Sequence, residues 1–147
     1  MKLQELKILL ADDDADDCLF FKEAVTSFIP ANNFSAVHDG EQLMQRLGNK
    51  TDKLPDVLFL DLNMPRKNGF ECLTEIKQNK KLKNLPVIIF STSNSHDSMN
   101  ILFKTGADVY IRKPSNFDQL VKVIKHALPM AYETIVAKVK LKYVLNA

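Results

Sequence analysis

Four apolar residues, Val57, Leu58, Phe59 and Leu60, run without a break between Asp56 and Asp61. This short run constrains the fold more than any other feature of the chain. A strand with one face in water alternates apolar and polar residues. A strand covered on both faces does not, and that is the mark of a parallel sheet. Pro65 and then Asn68-Gly69 end the segment, because proline cannot donate to a ladder and Asn-Gly favours a turn. Asp61 therefore stands where a buried strand ends. In open α/β sheets ligands gather at that carboxyl edge. A carboxylate there serves either chemistry or an ordinary turn, and Asp61 alone does not decide which.

The same kind of run recurs along the chain. Strands are expected over residues 7–11, 34–37, 56–61, 85–90 and 108–112. Between them lie segments of helical spacing. Phe20, Phe21, Ala24, Val25 and Phe28 share one broad face, closed by Pro30. Residues 41–47 place Leu43, Met44 and Leu47 inward, and Phe70, Leu73, Ile76 and Lys77 mark a third helix with a polar, solvated end. Met99, Leu102 and Phe103 precede the breaker Gly106. Ser115-Asn116-Phe117-Asp118 reads as a capping box variant opening a last helix, with Leu120, Val121, Ile124 and Leu128 on one face and Pro129 after it. Strand and helix alternate five times. This predicts an α/β fold, a doubly wound five-stranded parallel sheet with helices on both faces.

Right-handed crossovers place all five strand ends on one edge. Asp12-Asp13-Asp14-Ala15-Asp16-Asp17 follows the first strand, five acids in six positions. Capping and dipole compensation use one or two of them; a cation site would use more. Asp61 ends the third strand, Ser91 the fourth, and Lys113-Pro114 follows the fifth. A hydroxyl there can cap a helix, and a lysine there can be simply exposed. Their convergence is what carries weight. Two unit charges about 4 Å apart cost roughly 4 kcal/mol at an effective dielectric near 20. Clustered carboxylates thus need protons or a hard cation such as Mg²⁺, whose usual partners include phosphate oxygens. Lys113 and Ser91 can hold a phosphoryl group that an aspartate accepts.

Asp-Asp after strand one, Asp-Leu-Asn-Met-Pro at 61–65, a hydroxyl after strand four and Lys-Pro after strand five together resemble a receiver domain of bacterial two-component response regulators. The resemblance spans about residues 5–128. It is nearest to the stand-alone, chemotaxis-regulator-like kind and to the small regulators associated with phytochrome-type kinases. It implies a flavodoxin-like sheet of order 2-1-3-4-5. It implies Asp61 as phosphoacceptor from a sensor histidine kinase, Asp12, Asp13, Asp61 and the Asn63 carbonyl as Mg²⁺ ligands, Ser91 as switch hydroxyl and Lys113 as phosphoryl contact. A cis bond before Pro114 and a switching aromatic at Tyr110 are implied too. Asn63 and Ser93 fall where the family tunes dephosphorylation. Serine replaces the commoner threonine at the switch, and Asp14 is an extra acid.

The 147 residues fit one domain, and a net charge of +2 is too small to argue for nucleic acid. The two cysteines lack a pairing pattern and read as reduced, in a cytoplasmic protein. No signal peptide or membrane span is expected. His38, His96 and His126 are scattered. Residues 1–128 are expected to form the receiver and 129–147 a C-terminal extension without a separate output domain. In that extension Ala137, Val139, Leu141, Tyr143 and Leu145 alternate with lysines, which is strand-like, although a helix also fits. It would pack on the domain or on a second subunit. The expected function is a phosphoacceptor signalling protein rather than an enzyme, acting on an unknown downstream protein. A Mg²⁺-dependent phosphohydrolase is the alternative, opposed by Asn63 standing where a second catalytic acid would be needed. A scaffold that is never phosphorylated is a third reading.

Overall fold

The structure is a computed structural model describing residues 2–51, 53–92, 96–137 and 143–145. Among the described residues six strands form one sheet: β1 (Ile8–Ala11), β2 (Phe34–Val37), β3 (Val57–Leu60), β4 (Val87–Ser91), β5 (Val109–Arg112) and β6 (Tyr143–Leu145). Their order is β2-β1-β3-β4-β5-β6 and every pairing is parallel. The helices are α1 (Ala15–Val25), α2 (Gly40–Gly48), α3 (Gly69–Gln78), α4 (His96–Thr105) and α5 (Phe117–Ala137). The first five strands take the expected order, doubly wound.

Unbroken apolar strands are explained by two cores. Side chains alternate across the sheet, so Ile8, Leu10, Val57, Phe59, Ile88, Phe90, Val109 and Ile111 join α1 and α5 in one core. Leu9, Ala11, Leu58, Leu60, Val87, Ile89 and Tyr110 join α2, α3 and α4 in the other. Phe21 of α1 anchors the first. Its ring meets Phe59 edge-on at 4.9 Å and Phe90 at 5.3 Å between centroids, and stacks near Phe34 at 5.9 Å. Such ring pairs add about 0.5–1.5 kcal/mol each beyond area burial.

Side-chain caps fix where helices begin. Asp14 accepts from the Asp17 N–H at 3.0 Å, and Asp39 from Gln42 N–H at 2.8 Å. Asn68 and Glu71 form a full capping box at α3. Asn116 accepts from the Gln119 N–H at 3.2 Å, opening α5 as its sequence suggests. Asp14, the extra acid, is thus the N-cap of α1.

Two features depart from the sequence reading. The last helix does not stop before Pro129; it runs through it to Ala137. An interior proline costs about 3 kcal/mol in a helix. The apolar face continues past it, with Ala131 buried and Met130 and Tyr132 packed against the core, and that burial offsets the loss. The sheet also gains a sixth strand, with Tyr143, Val144 and Leu145 in register beside Val109, Tyr110 and Ile111. The strand-like alternation of the tail holds for these residues, while 138–142 lie outside the described residues. Lys77, one of the residues that mark α3 in the sequence, is half-buried, donates to the Leu85 carbonyl at 2.8 Å and lies 4.0 Å from Asp108. Among the described residues no helix is long and apolar enough to cross a membrane.

Candidate functional site

The ladders deliver each functional residue to one rim. The Asp12 N–H donates to the Val37 carbonyl at 3.1 Å, and Asp61 N–H to Ala11 at 2.9 Å. The Lys113 N–H donates to the Ser91 carbonyl at 2.8 Å. Neighbouring strand ends are therefore stitched together just where the acids, the hydroxyl and the lysine begin. One carboxylate oxygen from each of Asp12, Asp13 and Asp61 lies within 4.8 Å of the others. Asp12 is 0% exposed and Asp61 4%, whereas Asp13 faces solvent.

Lys113 sits among them. Its Nζ is 2.8 Å from Asp12 Oδ2, 2.9 Å from Asp17 Oδ2 and 3.8 Å from Asp61 Oδ1. The same ammonium lies 5.5 Å from the Phe90 ring centre, an attractive placement. Burial alone would lower the lysine's pKa. Hydrogen bonds to Asp12 and Asp17 and the Asp61 charge outweigh it and hold the group above its ordinary value, so it stays charged. Asp61 moves the other way from most paired carboxylates. Burial pushes it up to about 6, and Asp12 and Asp13 push the same way, against Lys113 and the Asn63 backbone N–H. Asp12 Oδ1 accepts from the Asp14 N–H at 3.0 Å, which fixes that carboxylate's plane.

The remaining expected residues are placed as follows. Ser91 is fully buried as the last residue of β4. Asn63 is exposed two positions beyond Asp61. Tyr110 is fully buried on the α4 side, in register between Ile89 and Val144. Ser93 lies outside the described residues. The Lys113–Pro114 bond is trans, not the cis form that the resemblance implied. Trans is the lower-energy form of an X–Pro bond. Asp17 is the residue the sequence reading did not single out. Its one sequence signal is position: it falls three residues after the N-cap of α1, over the strand ends.

Gly69 shapes the floor. A Cβ at this position would lie 2.4 Å from the Asp61 carbonyl oxygen and 2.8 Å from Leu62 Cα. Glycine therefore lets the start of α3 rest on the backbone that carries Asp61. Gly69→Ala is expected to lose about 1–3 kcal/mol, as for an overpacked core. Urea denaturation of the two proteins measures it, and equal midpoints would show that α3 moves aside freely.

The donor set is all oxygen and mostly carboxylate, with three acids against one ammonium. Such a set fits a hard divalent cation and poorly fits a soft one. A buried carboxylate flanked by a cation site and a lysine can act as a nucleophile toward an electrophilic phosphorus.

The family model for the response regulator receiver domain matches residues 8–125. The response regulator Rcp1 of Synechocystis is 30% identical over 132 residues, covering 87% of this chain and 90% of Rcp1. The transcriptional regulatory protein CpxR of Escherichia coli K12 is 35% identical over 122 residues, covering 83% of this chain; the match spans 49% of CpxR, about half its length. Among solved structures, the phosphorylated cyanobacterial phytochrome response regulator RcpA superposes with a TM-score of 0.76 at 31% identity, covering 92% of this chain and 97% of that one. The Mn²⁺-bound form of Rcp1 gives 0.70 at 28% identity, covering 88% and 92%.

Proposed function

This chain belongs to the response regulator receiver domain family of two-component systems, and from that premise we propose that it is a single-domain receiver phosphorylated on Asp61 by a histidine kinase in a Mg²⁺-dependent reaction. The observation that carries this reading is the placement of Asp61 within 4.8 Å of Asp12 and Asp13, beside Lys113. The side chains of Asp12, Asp13 and Asp61 and the Asn63 carbonyl would hold the cation. When bound, Mg²⁺ supplies positive charge against the acids and the incoming phosphoryl oxygens.

The chain's own residues do the rest. An Asp61 carboxylate oxygen bonds to phosphorus as the P–N bond of the donor phosphohistidine breaks, and the electron pair leaves with the imidazole nitrogen. Lys113 Nζ, already 3.8 Å from Asp61 Oδ1, moves onto a phosphoryl oxygen. The Ser91 hydroxyl donates to another. The added negative charge at this rim shifts a pre-existing equilibrium, read out through Ser91 and Tyr110. The domain catalyses only its own phosphorylation and dephosphorylation. The signal leaves by phosphorylation-dependent partner binding or by relay of the phosphoryl group.

Likeness to Rcp1 and to the phytochrome response regulator RcpA supports a phytochrome-type kinase as donor, and the two free cysteines suit the reducing cytoplasm. Past Pro129, α5 continues to Ala137, and Tyr143–Leu145 line β5 as β6, so these described residues extend the receiver. Acetyl phosphate with Mg²⁺ is expected to add one phosphoryl group to the wild-type chain by intact mass. Asp61→Asn is expected to take up none. Equal labelling of the two proteins would remove Asp61 from this role.

A further inference from the structure

Lys113 carries three N–H bonds, and two are committed away from Asp61. They go to Asp12 Oδ2 at 2.8 Å and Asp17 Oδ2 at 2.9 Å. Asp61 Oδ1, at 3.8 Å, is outside hydrogen-bond range. The two bonded acids differ in what their release costs. The Asp12 side chain is wholly buried, so losing the ammonium would strand a charge away from water. The Asp17 side chain is 42% exposed, and water can take the lysine's place there.

The location of Asp17 argues in the same direction. Its backbone is pinned in the first turn of α1, since its N–H donates to the Asp14 cap at 3.0 Å. Helical side chains lean back toward the N-terminus, which here aims the carboxylate over the strand ends. An acid at this position ordinarily offsets the helix dipole or reaches back to the N-cap. Asp17 instead bonds a lysine 96 positions away in sequence. We propose that Asp17 is a positioning residue: it holds Lys113 in the resting domain and is the partner that Lys113 leaves when Asp61 is phosphorylated. The proposal rests on Asp61 being the phosphoacceptor.

The test uses beryllofluoride with Mg²⁺ as the phosphoryl mimic, titrated into the full chain. Asp17→Asn keeps the size and the helix start but removes the competing charge. It should tighten beryllofluoride binding roughly two- to fivefold, the size of a half-exposed ion pair. Asp17→Glu should return the affinity toward wild type. In a Lys113→Met background the Asp17→Asn change should have no effect, because it acts through the lysine. An equal gain in both backgrounds would mean that Asp17 acts only as a distant negative charge, and the positioning role falls. Wild-type binding with Asp17→Asn unchanged overturns the role of Asp17 alone. A wild-type chain that binds no beryllofluoride overturns the Asp61 assignment and this proposal with it.

Discussion

With Lys113 replaced by methionine, phosphorylation by acetyl phosphate is expected to slow by roughly 10²–10³-fold, the usual loss when one preorganised charge donor is removed from a transferring group. The ammonium lies 3.8 Å from Asp61 Oδ1 before any phosphoryl group arrives. It is held charged by its carboxylate partners, so it meets the developing negative charge with no proton to gain. Methionine keeps the length and the contact with Phe90 and removes the charge. Cation affinity should survive the change, because all three carboxylates remain and a competing positive charge is gone. Single-turnover labelling at saturating Mg²⁺ separates the two effects. A variant labelled at the wild-type rate would show that Lys113 does not touch the transferred group.

Asp61→Asn is expected to stabilise the metal-free fold even as it abolishes phosphorylation. Burial raises the Asp61 carboxyl from its ordinary value of 3.8 to about 6, so the folded chain holds that proton more tightly than the unfolded chain. Stability therefore falls as pH rises between about 4 and 6, and the ionised form carries the full penalty above that window. A shift of this size corresponds to on the order of 1–3 kcal/mol. At pH 8 in EDTA the asparagine variant should melt several degrees higher than wild type, at about 2–4 °C per kcal/mol. At pH 4 the two should converge. Mg²⁺ should raise the wild-type melting temperature at pH 8, much less at pH 5, and little in the variant. A wild-type chain that gains stability relative to the variant as pH rises through 4–6 would reverse the sign and place Asp61 in a charge-stabilising pocket instead.

The parts of this molecule written in local pattern were readable from the residues. Val57–Leu60 and the run at 85–90 read as strands covered on both faces because they are short, unbroken and apolar. The rim followed from topology, since strand ends share an edge whatever the loops do. What failed to show depends on contacts distant in sequence. Pro129 reads as a stop by propensity, yet the buried face through Ala131 carries the helix on. Lys77 is legible as part of the α3 face, but its partners, the Lys83 and Leu85 carbonyls and Asp108, lie outside that helix. Asp17 was one acid in a run of five, and only the return of the chain at Lys113 distinguishes it from Asp16.

Without β6, the far side of β5 would carry a column of unanswered N–H and C=O groups, an adhesive border open to any stray extended peptide. The pairing of Val109, Tyr110 and Ile111 with Tyr143, Val144 and Leu145 takes that column out of circulation. The outermost border passes to a strand of three residues, too short to template a fibre, so the last stretch of the chain guards the sheet it completes.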